Sequence, residues 1–143
     1  MELLNAIKQR HSVRSYLDKP IDTDVRDELR KYIDKCNQEG NLHIQLIENE
    51  PQAFAKGLFH YGLFSNVKNY IALVGKEDST FDERCGYYGE KIVLKAQMLG
   101  LNTCWVGGTY KKIESVVDLK PGEKFLMVIA IGYGENQGRE HKY

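Results

Sequence analysis

The sequence predicts an α+β fold, on three observations. Apolar residues recur at helical spacing in two stretches, one beginning near residue 23 and one lying between 80 and 100. Short alternating or wholly apolar runs at 42–47, 69–75 and 125–134 read as three core strands. No internal repeat or low-complexity linker interrupts residues 1–143, which read as one domain.

Each element has its own signal. Leu3, Leu4 and Ile7 form a short helical stripe that ends at the polar run QRHSVRSY. Pro20 follows, and Thr23 is the expected N-cap of a second helix, with Asp24 and Asp27 in its first turn. Val25, Leu29, Tyr32, Ile33 and Cys36 make its apolar face, and Gly40 is its expected stop. Between Thr80 and Gly100 the spacing predicts a long helix opened by a Thr80/Glu83 capping box and closed by a C′ glycine. Its apolar face carries Cys85, Tyr88, Ile92, Val93, Ala96 and Leu99. Gly86 and Gly89 near its start predict close approach of another backbone. NTCWVGGTY then reads as a loop, residues around 111–117 as a short helix, Pro121-Gly122 as a turn, and FLMVIAIGYG as a strong strand.

Bulk properties exclude several functions. Twenty basic and twenty acidic side chains balance, so no basic field is available for nucleic acid or an anionic membrane. No apolar run approaches the ~20 residues that span a bilayer, and the polar N-terminus does not resemble a secretory signal. Cys36, Cys85 and Cys104 are odd in number and form no CxxC pair, which argues against a disulfide framework or a zinc site and for reduced thiols in the cytoplasm. His11, His43, His60 and His141 have no metal-ligand spacing. Neither a P-loop nor a GxSxG elbow occurs. Gly132-Tyr133-Gly134 follows a strand but has no room for the helix and next strand of a dinucleotide fold.

Three clusters remain at element ends. Arg10-His11-Ser12-Val13-Arg14 offers two guanidiniums and a hydroxyl, donors that suit a phosphate. A solvated charged turn is the alternative on residue types alone. Trp105-Val106-Gly107-Gly108 pairs a flat side chain with glycines that let backbone N–H groups approach a planar ligand; a turn beside a core tryptophan is the alternative. The third is Gly132-Tyr133-Gly134 with Arg139, His141 and Lys142 beyond it.

Taken in order, these clusters resemble the nitroreductase superfamily. RHSVRSY is similar to its RRSxRxF/Y opening, GYYGEKIVLKAQMLGLNTCWVGG to its central helix and LGLGxxW-x-GG ending, and FLMVIAIGYGE to the strand before its closing phosphate-binding tail. HYGLFSNVKNYIALVG resembles the short TM-type subgroup in particular. The family's PSxxNxQPWxF segment, which shapes the substrate pocket, is replaced by CNQEGNLHIQLIENE, and the C-terminal tail is shorter than usual.

The resemblance implies a mostly antiparallel central sheet flanked by helices, with the long central helix at a homodimer interface and FMN in the crevice between subunits. It assigns Arg10, His11 and Ser12 to the FMN phosphate and ribityl chain, and Arg14 to the pyrimidine edge of the ring. Gly107 and Gly108 fall near the reactive ring face, Trp105 at the pocket wall, Tyr61 and Phe64 at the ring's border, and Arg139 and Lys142 at the phosphate. NAD(P)H is the implied electron donor and a small nitroaromatic or quinone the implied acceptor. The flavin carries the chemistry, so no catalytic side chain is expected. A non-catalytic flavin-binding or redox-sensing protein is the alternative, and a scaffold without flavin a third.

Overall fold

A computed structural model describes residues 2–50, 64–107 and 116–140. The expected short helix at 111–117 lies almost wholly outside them. In chain order the elements are α1 (Leu3–Gln9), α2 (Thr23–Gly40), β1 (Gln45–Ile47), β2 (Tyr70–Lys76), α3 (Phe81–Met98), β3 (Asn102–Val106) and β4 (Glu123–Gly132). The strands form one sheet in the order β1-β2-β4-β3, and every neighbouring pair is antiparallel. It therefore has one more strand than the sequence predicts. The extra one is β3, read above as a loop. It is only five residues long and largely buried on both faces, so it lacks the polar alternation that marks a half-exposed strand.

The sheet separates two apolar layers. Ile71, Leu73, Ile129 and Ile131 face α2 and α3, which contribute Leu29, Ile33, Cys36, Cys85, Ile92, Val93 and Ala96. On the other face Ala72, Val74, Cys104, Val106, Val128 and Ala130 are covered by Val13, Tyr16, Val67 and Val117. A bulge keeps both layers filled. Leu73 pairs with Met127 but Val74 pairs with Phe125, so Leu126 is the extra residue and β4 changes phase there.

Three helix-end expectations need correction. Asp22, not Thr23, is the N-cap of α2; its carbonyl already accepts the Arg26 N–H at 2.8 Å, and only Asp24 lies in the first turn. The Thr80/Glu83 capping box does not form. Thr80 has φ −113° and ψ 3°, outside the extended region a cap requires, and its hydroxyl instead donates to Asp78 and accepts from Arg84 Nε, both at 3.0 Å. Gly89 does not admit a backbone: a Cβ there would lie 2.5 Å from Cη2 of Trp105, so the glycine makes room for the indole, whereas Gly86 faces open space.

Other signals hold. Gly100 has φ +86°, its N–H reaches the Gln97 carbonyl at 3.1 Å, and Leu101 N–H reaches Ala96 at 2.9 Å, the paired bonds of a Schellman ending. Pro121-Gly122 forms a turn with Gly122 at φ +83°, closed by Glu123 N–H on the Lys120 carbonyl at 3.0 Å.

Candidate functional site

The site is organised by β3, at the side of the sheet away from β1. After α1 ends at Arg10, the chain runs extended beside this strand. Ser12 bridges Thr103 in parallel register, and Val13 N–H donates to the Thr103 carbonyl at 3.0 Å. Val13 and Tyr16 turn inward and are almost fully buried, which fixes the segment. Arg10, His11 and Ser12 are consequently half-buried and Arg14 is exposed. Arg10 Nη1 donates to Thr103 Oγ1 at 3.2 Å. The Arg14 guanidinium has no hydrogen bond or ion pair among the described residues, although its carbonyl accepts Ser65 N–H at 2.9 Å. That bond brings Phe64 beside the segment, where it packs half-buried against the layer containing Val13 and Tyr16.

The tail returns to the same place. Tyr16 bridges Gly134, Leu17 N–H reaches the Tyr133 carbonyl at 2.8 Å, and Glu135 N–H reaches Ser15 at 2.9 Å. Gly138, at φ +86°, packs so closely that a Cβ would stand 2.5 Å from His11 Cβ and 3.0 Å from the Ser12 carbonyl. Arg139 follows directly and is exposed. The first sequence cluster and the described part of the third, through Arg139, are thus neighbours although more than a hundred positions apart.

The second cluster occupies the far end of β3. Gly107 is exposed just beyond Val106, four residues from Thr103 and about 13 Å along the strand at ~3.3 Å per residue. Trp105 is placed differently from its neighbours. Its ring packs on Gly89 in the layer under α3, and Nε1 donates to Glu90 Oε1 at 3.4 Å, while Cys104 and Val106 face the opposite layer. Tyr61, Gly108 and Lys142 lie outside the described residues.

Two chemical environments bear on the site. Tyr16, 1% exposed, has a hydroxyl with no hydrogen-bond partner among the described residues; burial, reinforced by Cys104, pushes its pKa far above the usual tyrosine value. All three cysteines are buried and free, and burial pushes Cys85 up to about 11, so it is no ready nucleophile. Among the described residues no helix is long and apolar enough to cross a membrane.

Sequence reasoning missed Asn102, Thr103 and Gln137, which join the clusters. Asn102 is 3% exposed and Thr103 1% exposed. The Gly100 helix ending followed by the apolar T-C-W-V run could have marked the strand, but nothing in the sequence marks the contacts these residues make.

Known proteins agree with this architecture. The FMN-dependent nitroreductase of Clostridium difficile R20291 is 17% identical with a TM-score of 0.72, covering 97% of this chain and 91% of that one. The "Putative NADH dehydrogenase/NAD(P)H nitroreductase" of Parabacteroides distasonis ATCC 8503 gives 19%, 0.75, 99% and 92% in the same order. A "putative nitroreductase in complex with FMN" from Desulfovibrio desulfuricans gives 18%, 0.73, 100% and 92%. At these identities the likeness establishes the fold. No curated protein matches the chain. The family described as "Putative TM nitroreductase" matches residues 2–143. The chain belongs to that nitroreductase family.

Proposed function

We propose that this protein is an FMN-dependent oxidoreductase that oxidises NAD(P)H and reduces a small acceptor such as a nitroaromatic or quinone. The observation that carries the reading is the seating of Gly138 on His11, which brings the stretch bearing Arg139 beside Arg10 and Ser12. Such a grouping suits a single phosphate, because guanidiniums give charge-assisted donors without losing their charge. The relative solved with FMN supports the same cofactor. Residues 1–143 form one FMN-binding domain on this reading.

In this assignment Arg10, His11 and Ser12 hold the phosphate and ribityl chain, with Arg139 and Lys142 from the tail. Arg14, whose guanidinium is uncommitted among the described residues, stabilises negative charge at the pyrimidine edge. Gly107 and Gly108 offer backbone N–H groups to the ring, bordered by Tyr61 and Phe64, while Trp105, packed on Gly89 under α3, anchors the strand that carries them. When bound, FMN supplies hydride acceptance and donation, while the protein supplies position and electrostatics.

Homodimerisation belongs to the proposal but rests on different residues from those the sequence suggested. Cys85, Ile92, Val93 and Ala96 are buried in the chain's own core. The surface that supports a partner copy is α1, where Leu3, Leu4 and Ile7 are 53%, 68% and 53% exposed on a helix packed against α3. Buried, unpaired thiols agree with a cytoplasmic location.

The test is direct. Purified protein incubated with FMN should acquire flavin absorbance and a light-scattering mass of two chains, then oxidise NAD(P)H continuously when a quinone or nitroaromatic is supplied. Absence of flavin uptake sinks the reading. Uptake without turnover favours a flavin-binding or redox-sensing protein instead.

A further inference from the structure

Asn102 opens β3 and is nearly inaccessible to water, yet both its carboxamide oxygen and its carboxamide nitrogen are hydrogen-bonded to the tail. Oδ1 accepts the Gly134 backbone N–H at 3.0 Å and Gln137 Nε2 at 3.5 Å, and Nδ2 donates to Gln137 Oε1 at 3.0 Å. One side chain therefore grips the tail at its first residue and again three residues later. Between those points Asn136 Oδ1 accepts Gly138 N–H at 2.9 Å, which bends the tail so that Gly138 lands on His11.

We propose that Asn102 is the positioning residue that docks the Gly134–Arg139 tail onto Arg10–Val13, so that tail and segment together complete a phosphate-binding surface. The inference rests on the FMN reading above. The chemistry requires this amide. It must accept from a backbone N–H and donate to a side-chain carbonyl from within a buried site, where an unmet polar group is costly. An aspartate would lose the donor and bury a charge, and an alanine would release both tail contacts. Next to it, Thr103 holds the other half of the surface through Arg10 Nη1 and Val13 N–H. Successive residues of one strand thus secure the tail and the N-terminal segment.

Gly134 marks how tight the joint is. A Cβ there would lie 2.6 Å from the Asn136 carbonyl oxygen, 2.7 Å from Val13 Cγ1 and 2.9 Å from Asn102 Oδ1. Gly134→Ala therefore displaces the tail from its side without emptying the core, and serves as a second variant should Asn102→Ala fail to fold.

The experiment compares wild type, Asn102→Ala and Gly134→Ala by amide hydrogen exchange without ligand and by titration with FMN and riboflavin. In both variants the backbone amides of residues 134 and 138 should exchange at least about tenfold faster. FMN affinity should fall about tenfold, the loss of roughly one charge-assisted hydrogen bond, while riboflavin affinity stays within about twofold. Equal weakening of both flavins overturns the proposal, since it would mean a general structural role. Unchanged exchange, or faster exchange with FMN affinity intact, overturns it as well. Wild-type protein that binds neither flavin overturns the cofactor reading itself. Exchange, which needs no ligand, then still reports whether Asn102 docks the tail.

Discussion

Arg84 Nη1, on the first turn of α3, donates at 2.8 Å to the carbonyl of Gly40, the last residue of α2. The same nitrogen reaches the Asn41 carbonyl at 3.0 Å, Nε reaches Thr80 Oγ1, and Nη2 reaches Asp78 Oδ2 at 3.0 Å and the Lys76 carbonyl at 3.4 Å. One guanidinium therefore satisfies orphan carbonyls at the end of α2 and ties them to the β2–α3 turn. A lysine is a point charge and cannot serve these directions together. Arg84→Lys should lower stability by about 2 kcal/mol, the scale of one hydrogen bond to a charged group. Urea unfolding with an unchanged midpoint would dismiss the clamp.

Two glycines on α3 should respond oppositely to the same change. Alanine is favoured over glycine in a helix by about 1 kcal/mol. At Gly86 nothing lies within 4 Å of the added methyl, so Gly86→Ala should stabilise by up to about that amount. At Gly89 the methyl meets Trp105 at 2.5 Å, and overpacking costs about 1–3 kcal/mol. Gly89→Ala should therefore be neutral to destabilising and shift the emission of the single tryptophan. Equal thermal midpoints for the two variants would contradict the packing.

Acid should loosen the junction between β4 and the segment before β1. Glu123 sits at 2.8 Å from His43 Nδ1 and accepts Lys120 N–H at 2.9 Å. Burial raises its pKa, but these hydrogen bonds outweigh it and the carboxyl ends below its usual value of 4.5. A depressed carboxyl contributes stability that is complete above its unfolded pKa and disappears as pH falls through the folded one. Wild type should exceed Glu123→Gln by about 1–2 kcal/mol at pH 6, with the gap closing below about pH 4.5. A gap independent of pH across that window would refute this account.

Arg14→Ala carries the electrostatic part of the functional proposal. Removing a cation beside the ring's pyrimidine edge disfavours the more negative, reduced state. The flavin midpoint should fall by about 30 mV for each ~1.4 kcal/mol of lost stabilisation in a two-electron couple. Dye-coupled redox titration showing the wild-type potential in a folded variant would reduce Arg14 to a surface charge.

The long elements were legible because their signals are local and redundant. Val25 to Cys36 and Cys85 to Leu99 repeat the helical period over several turns, and Gly100 ends the second run with the φ it alone tolerates. The helix starts were less legible because each is a contest among neighbours. Thr80 has the right chemistry for a cap, but Asp78 and Arg84 claim its hydroxyl. At the site, family resemblance picked out Arg10, Ser12 and Arg139, yet the residues joining them could not be read. Asn102 and Gln137 meet only after β3 pairs with β4, and no sequence period records a contact made between a strand and a distant tail.

The closure of the sheet at β3 also bears on how fast the chain can fold. Arg10 finds Thr103 across 93 residues of chain, and the Asp22–Tyr133 bond spans 111. Such high contact order slows folding, because chain entropy must be surrendered before these contacts repay it. During synthesis the segment around Ser12 emerges from the ribosome long before its partner strand exists. Until then Val13 and Tyr16 have no layer to enter, and a newly formed β3 would expose an unpaired edge. The seam that finishes the site therefore closes the longest loops of the chain and carries a large share of its folding entropy cost.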